Sequence, residues 1–294
     1  MAIKILLAAG SAQAAAKSSH GHDLLLETYY RNMEQLHRSS FGIPVVVESF
    51  EKDDKVHVDI YGILEYSFND VVSMLNSPVN WRDIVFIHPN VKASSYREQA
   101  GSKLLTFYLG KKTYQPPKDT RQITCRYQII EQLPSYLNIM LKADKGPFAT
   151  KDHTMSFEAL PLDRRKTFVH VSYVYSDSAA LRLAARVYFA TIGRDKVGFT
   201  VTGTDSNGKP EYIGGPRGAL ERSTVRYYFA ILSFMNTLQY PEESRFYMRI
   251  SKWHDLTSRY KRQLFDLDKN TYLELKTREQ QNQLLLQQQI NTGQ

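Results

Sequence analysis

The stretch from Val58 to His88, VDIYGILEYSFNDVVSMLNSPVNWRDIVFIH, decides how we interpret the chain. It begins as a strand, because apolar residues such as Val58 and Ile60 alternate with polar ones. Ser67 is a predicted helix N-cap, since its hydroxyl can accept a hydrogen bond from an unpaired amide of the first turn. Apolar residues at helical spacing follow, and we expect Pro78 to end that helix. The stretch therefore predicts a strand, a short helix and then a buried aromatic residue, Trp81.

Several residues of this stretch carry a family resemblance. They are Tyr61, Gly62, Tyr66, Phe68, Val71, Leu75, Asn80, Trp81, Asp83, Ile84 and His88. Their arrangement resembles the opening of the START and Bet v 1-like (SRPBCC) proteins, in which a hairpin leads into a short helix that plugs one end of a sheet. The resemblance implies an α+β helix-grip fold: a curved antiparallel sheet wrapped around a long C-terminal helix, with a cavity between them. None of these residues is a catalytic fingerprint, and fold alone does not fix function.

Seven strands are predicted along the chain. They are 43–50, 55–61, 102–110, 121–132, 136–143, 154–162 and 167–175. Hairpin-length links, such as the turn at Asp53 and Asp54, separate most of them, which predicts one antiparallel sheet. An amphipathic helix is expected before the sheet, so the domain would carry extra helices at both ends.

Beyond the last strand the chain departs from the plain family pattern. Residues 178–217 indicate an insertion with a helix, a strand and a Gly/Pro-rich loop, which we expect near the pocket mouth. The closing helix is predicted over 218–238, with a second helix from Pro241, and the Gln-rich end is typical of a frayed helix or a disordered tail. The predicted organisation is a segment 1–14, a helical extension 15–40, the helix-grip domain 41–240, a helical extension 241–278 and the tail 279–294.

Composition limits the partners. A chain of 294 residues that is 42% hydrophobic can bury a large core, and its formal charge of +8 favours anionic partners. Because the basic residues are scattered, we expect peripheral contact with anionic membranes and no nucleic-acid partner. Cys125 is the only cysteine, so no internal disulfide can form. The oligomeric state stays open.

The first 14 residues, MAIKILLAAGSAQA, resemble targeting sequence. They combine a lysine, a short apolar run and an Ala-x-Ala ending, which is typical of a secretory signal. The alternative is an ordinary alanine-rich segment. A signal would place the mature protein in a bacterial periplasm, beginning near Ala15, and without one the protein would be cytoplasmic.

Motifs for catalysis are missing from the sequence. It has no nucleophile elbow, phosphate loop, His-Glu-x-x-His or dinucleotide fingerprint, so we expect no cofactor. His20 and His22 form a pair without a third ligand, and we expect no metal there. His88, His153 and His170 lie in apolar or strand patterns and are interpreted as structural histidines.

The predicted binding residues would line the cavity that the resemblance implies. They are Trp81, Tyr108, Tyr127, Tyr173, Arg222, Arg226, Tyr228 and Leu232. Tyrosine suits such a cavity because its ring is apolar and its hydroxyl can orient a ligand, although filling a curved sheet explains the 19 tyrosines equally well. Arg222 and Arg226 either receive a ligand's carboxylate or phosphate, or pair with sheet carboxylates such as Glu131 or Glu158.

Three functions are compatible with this sequence. The first is non-catalytic carriage of a lipid or other hydrophobic molecule. The second is a polyketide aromatase/cyclase-like enzyme, as some proteins of this fold are, in which Tyr127, His170 and Arg226 would donate protons or orient the substrate. The third is a protein-interaction module that uses the C-terminal helices. An apolar tunnel with one polar end would favour carriage, whereas a titratable pair flanking a short cavity would favour an enzyme.

Overall fold

The computed structural model describes residues 9–191 and 193–293, and one large sheet forms its centre. The strands of this sheet are β1 (Val45–Lys52), β2 (Lys55–Leu64), β3 (Val91–Gln99), β4 (Ser102–Leu109), β5 (Arg121–Leu133), β6 (Tyr136–Lys145), β7 (Lys151–Pro161) and β8 (Thr167–Ser176). They are antiparallel in the order β1-β2-β8-β7-β6-β5-β4-β3. Seven of these eight strands match the predicted ones closely.

Helices cover both faces of the sheet. They are α1 (Ala9–His37), α2 (Phe68–Leu75), α3 (Pro78–Phe86), α4 (Ala179–Ala190), α5 (Gly215–Met235), α6 (Glu242–Thr257), α7 (Lys261–Leu264) and α8 (Lys269–Thr292). On the inner face, α2, α3, α5 and α6 share one hydrophobic core with the strands. On the outer face, α1 packs through Leu25 and Leu36 on a second, smaller core. The curved sheet and the long helix α5 across its inner face confirm the predicted helix-grip.

The predicted signal segment lies partly outside the described residues. Residues 1–8 are not described, and positions 9–14 begin α1. None of the described helices combines the length and hydropathy needed to cross a bilayer.

The predicted β1–β2 hairpin and the helix after it form as expected. Asp53 and Asp54 both have positive φ angles, as a two-residue β1–β2 turn requires. The Ser67 hydroxyl accepts a hydrogen bond from the Asp70 amide, which caps α2. The prediction for Pro78 was incomplete, because this residue begins a second short helix, α3. Proline is tolerated there, since the first amides of a helix have no intrahelical acceptor.

Strand β3 was missed because its first five residues are all buried and include polar side chains. Lys92, Ser94 and Ser95 are all buried, so the strand lacks the alternation of apolar and polar residues that predicted the others. Among the described strands, β3 is the last of the sheet and leaves one edge unpaired. Helix α8 covers that edge.

The prediction of a frayed or disordered end was wrong, because residues 279–292 belong to the continuous helix α8. The side chain of Gln283 accepts from the Ser94 amide at 2.8 Å, and that of Gln287 pairs with both the amide and the carbonyl of Tyr96. Glutamines thus satisfy the open backbone of β3, so a Gln-rich sequence forms part of the fold. The proposed boundary at 278/279 falls inside a single helix.

The insertion between β8 and α5 contains α4 and a small two-stranded sheet, β9 (Val201–Thr204) and β10 (Pro210–Tyr212). It docks on α5 through the fully buried Glu221, whose carboxylate accepts from the amides of Phe199 and Thr200. None of its described residues lines the cavities between the sheet and helices α3 and α5, so the expected place at the pocket mouth was wrong.

Candidate ligand-binding site

An apolar compartment lies between the inner face of the sheet and helices α3 and α5. Its volume is about 80 Å³. The lining residues are Val85, Phe107, Leu109, Ile123, Cys125, Leu141, Pro147, His153, Met155, Tyr173 and Tyr227. Alternation along the strands produces this wall, because every second residue of a strand points to the same face. Burial raises the pKa of the Cys125 thiol to about 12, so this residue contributes an unreactive apolar surface.

A larger cleft of about 750 Å³ adjoins the compartment. The two share the five lining residues Leu109, Pro147, His153, Tyr173 and Tyr227. The rest of the cleft is more polar and includes Lys111, Asp119 and Arg121, none of which lines the inner compartment. The site is therefore an apolar end joined to a polar mouth.

A hydrogen-bonded pair stands at the junction. His153 Nδ1 lies 3.0 Å from Tyr173 Oη, and His153 Nε2 lies 2.7 Å from Thr150 Oγ1. Burial lowers the pKa of His153 to about 4, so the imidazole is neutral at physiological pH. Burial also raises the pKa of Tyr173 well above its usual value, so this phenol keeps its proton.

Tyr227 contributes the second phenol, from α5. Its ring meets that of Tyr173 edge-on, with centroids 6.4 Å apart, and burial raises its pKa. Within the described part of the chain, its hydroxyl has no hydrogen-bond partner. A polar group that can both donate and accept is therefore available where the compartment meets the cleft.

His88 lies behind Tyr227, with ring centroids 5.1 Å apart. Its Nδ1 accepts from the Asn90 amide, so the proton is on Nε2, which is buried without a partner among the described residues. Burial, together with cations that include Arg226, holds the pKa of His88 well below its usual value. His88 is thus a neutral residue of the cleft wall.

The two predicted arginines do not enter the site. Arg226 Nη2 donates to Asp266 at 2.7 Å, and Lys112 pairs with the same carboxylate. Arg222 donates to the Val197 carbonyl at 3.3 Å, and burial beside Arg226 lowers its pKa to about 10. Neither pairs with Glu131 or Glu158, so that alternative was wrong, and neither lines the compartment or the cleft.

Among the eight predicted binding residues, only Tyr173 lines the compartment and the cleft. Trp81 and Tyr127 instead donate to the Leu75 carbonyl, at 2.6 and 3.3 Å, and so complete the end of α2. Tyr108 lies on the opposite face of β4 from Phe107, which lines the compartment.

The two remaining predicted residues are on α5: Tyr228 is buried in the main hydrophobic core, and Leu232 packs against that core. Successive residues of a helix are rotated by about 100°. The face of α5 that meets the cleft carries Ala219, Leu220, Ser223 and Tyr227. The predicted residue Tyr228 therefore lies on a different face of α5 from Tyr227, which meets the cleft. Helical periodicity alone could not separate them, because both lie in the wide apolar stripe.

The three residues considered for catalysis are not brought together. Tyr127 lies against α2, and Arg226 pairs with Asp266. His170 lies on the outer face under α1, with its ring nitrogens 2.8 Å from Asp59 and 2.8 Å from Glu158. The predicted cyclase constellation was therefore wrong, and His153 is the histidine that reaches the site.

Comparisons with known proteins gave similar structures. No family model and no curated protein sequence matches the chain. Similar solved structures include a STAR-related lipid transfer protein of Xanthomonas axonopodis, 17% identical over 52% of this chain and 90% of that one, with a TM-score of 0.34. Human StAR-related lipid transfer protein 5 is 12% identical over 73% and 96% of the two chains, with a TM-score of 0.34. Zhui aromatase/cyclase from a Streptomyces species is 13% identical over 42% and 70%, with a TM-score of 0.31.

The fold class follows from this chain's own topology. Two short helices separate β2 from β3, six further strands complete the sheet, and α5 then packs across its inner face. This is the α+β helix-grip fold.

Proposed function

We propose that the protein binds and carries a lipid or other hydrophobic small molecule without chemically changing it. The observation that carries the proposal is the apolar compartment joined, through five shared wall residues, to a polar cleft. An amphiphile is bound best where its apolar part leaves water and its polar part meets a few hydrogen-bonding groups.

The two volumes suggest how a bound ligand would be distributed between the compartment and the cleft. The inner compartment, about 80 Å³, is smaller than the roughly 150 Å³ cavity that holds benzene in an engineered protein core. It suits one end of an aliphatic chain or part of a ring. The adjoining cleft, about 750 Å³, is within the range of about 300 to 1,000 Å³ that ligand sites occupy, and it would take the remainder.

The cyclase-like alternative would rest on the pair His153 and Tyr173, which flanks the compartment. A general acid or base works best when its pKa lies near the operating pH. The pKa of His153 is lowered to about 4 and that of Tyr173 is raised, so neither is matched to proton transfer near neutrality. This mismatch favours carriage.

The test is native mass spectrometry of the purified full-length protein, followed by organic extraction and lipid analysis. We expect a co-purified hydrophobic molecule at near-stoichiometric occupancy, or uptake of one from a membrane extract. The variant Cys125→Phe would fill the compartment and should abolish occupancy. Its matched control, Gln122→Phe, changes an exposed residue of the same strand and should bind normally.

Two checks make this experiment decisive. Thermal unfolding establishes that Cys125→Phe is folded, and the smaller Cys125→Leu should reduce occupancy without abolishing it. A wild-type protein that stays empty after exposure to a membrane extract would overturn the proposal. Turnover of an extracted ligand by the pure protein would instead support the enzyme.

The periplasm is the proposed location, and the signal-like segment 1–14 is its only support. N-terminal sequencing of the protein from fractionated native cells tests this. We expect a periplasmic chain that begins near Ala15, and an intact Met1 in the cytoplasmic fraction would contradict it.

A further inference from the structure

The direction of one hydrogen-bond chain limits which polar group the site can accept. Thr150 Oγ1 lies 2.6 Å from the Pro147 carbonyl, which can only accept. A hydroxyl has one proton, so Thr150 donates it to Pro147. The contact of 2.7 Å between Thr150 Oγ1 and His153 Nε2 must then be donated by the imidazole. His153 therefore carries its proton on Nε2.

The other ring nitrogen continues the chain. His153 is neutral and holds one proton, so its Nδ1 is a lone-pair acceptor. Tyr173 Oη, 3.0 Å away, must donate to it. The phenol proton of Tyr173 is thus committed to the protein, and Tyr173 Oη offers only an acceptor to a ligand in the compartment.

Tyr227 supplies a hydrogen-bond donor beside the acceptor Tyr173 Oη. Its hydroxyl has no partner among the described residues and can donate to a ligand. The charged residues of the wall, Lys111, Asp119 and Arg121, line the cleft but not the inner compartment. A carboxylate at the junction would face the lone pairs of Tyr173 and leave this acceptor unpaired, which is unfavourable in an apolar site.

We propose that the group recognised at this junction is an uncharged hydroxyl, which donates to Tyr173 Oη and accepts from Tyr227 Oη. This inference rests on the proposed function and specifies its ligand class: amphiphilic alcohols in preference to the corresponding ketones, ethers or carboxylates. His153 and Thr150 are positioning residues, because they act only by fixing the proton of Tyr173.

The experiment compares 2-octanol, 2-octanone and octanoate by isothermal titration calorimetry of the full chain. The alcohol and the ketone differ in shape very little, and only the alcohol can donate. We expect 2-octanol to bind about tenfold more tightly than 2-octanone, as the loss of one hydrogen bond to a buried acceptor implies. Octanoate should also bind more weakly than 2-octanol.

Three variants distinguish the roles of Tyr173, His153 and Tyr227 in binding the hydroxyl. Tyr173→Phe should remove the preference for the alcohol while leaving the affinity for the ketone nearly unchanged. His153→Phe frees the proton of Tyr173, so the preference should shift toward the ketone, which a purely structural role for the histidine would not produce. Tyr227→Phe should weaken alcohol and ketone alike and keep their ratio.

Failures of the two proposals are distinguishable. If none of the probes binds, and native mass spectrometry finds no ligand, the carrier proposal fails. If the wild-type protein binds 2-octanol and 2-octanone equally, or prefers octanoate, carriage stands and the inference about the hydroxyl is overturned.

Discussion

His170 is a partly buried cation held between two carboxylates on the outer face of the sheet. Burial lowers its pKa, but hydrogen bonds to Asp59 and Glu158 outweigh burial and raise the pKa to about 9. The raised folded-state pKa means that the group's contribution to stability is complete below about pH 6.5 and is lost as the pH rises toward 9. The shift corresponds to a contribution on the order of 3 kcal/mol.

The first prediction concerns the variant His170→Asn. We expect its free energy of unfolding to lack this contribution, so the difference from wild type should shrink between pH 6.5 and 9 in urea titrations. Gln35→Ala, at an exposed position of α1, is the control and should follow the wild-type pH dependence. A difference between wild type and His170→Asn that stays constant across this pH range would contradict the assignment.

A second prediction at the residue scale concerns Gly62. A Cβ atom here would lie 2.1 Å from Tyr228 Oη, so β2 and α5 can approach only because the side chain is absent. Gly62→Ala should destabilise the protein by about 1–3 kcal/mol, as overpacking of a core does. In a double-mutant cycle, Tyr228→Leu should recover part of that loss. Gly203→Ala, whose Cβ would make only ordinary contacts, should cost less, and equal costs would count against this packing.

At the scale of elements, helix α8 and strand β3 stabilise each other. Its Lys276 and Glu279 are fully buried, and Glu279 pairs with both Lys276 and Lys92 of β3, each at 2.8 Å. Together with Gln283 and Gln287, this pairing fastens the helix to the open edge of the sheet. An uncovered strand edge would also be a template for pairing with another chain.

The third prediction is that replacing both glutamines by alanine weakens this attachment. Each substitution removes the acceptor of a strand amide, at a cost of about 1–3 kcal/mol where the amide stays buried. We expect faster hydrogen exchange at the amides of Ser94 and Tyr96, with the centre of the sheet unaffected. Gln281→Ala, at an exposed position of α8, should leave both rates unchanged, and unchanged rates in the double variant would refute the role of the glutamines.

At the scale of the whole molecule, the formal charge of +8 predicts attraction to anionic membranes. Each basic residue near such a surface contributes about 1 kcal/mol, and salt screens the attraction. In vesicle sedimentation we expect binding to phosphatidylglycerol but not to pure phosphatidylcholine, with release at about 0.5 M salt, where the Debye length falls to a few ångströms. Equal binding to both lipids, or binding that salt does not reduce, would contradict this prediction.

The sequence by itself determined what local patterns encode. Alternation along seven strands, the Asp53-Asp54 turn, the Ser67 cap and the apolar stripe of the closing helix predicted an antiparallel sheet and a long helix after it. The family resemblance of residues 58–88 implied that the sheet wraps around that helix. Strand β3 and the end of α8 could not be predicted, because each is stabilised by the other. The polar groups of the strand and the glutamines of the helix are satisfied by hydrogen bonds to each other, which no local pattern reveals.

The site was decided by tertiary structure. Tyr173 could be predicted from strand alternation, but the choice between Tyr227 and Tyr228 depended on how α5 is rotated against the sheet. In this orientation the ring of Tyr228, and not that of Tyr227, packs against Gly62 of β2. The role of His153 depended on Thr150 and Pro147, which place its proton. Periodicity determines which residues are buried, whereas the rotation of elements against each other determines which buried residues face a cavity.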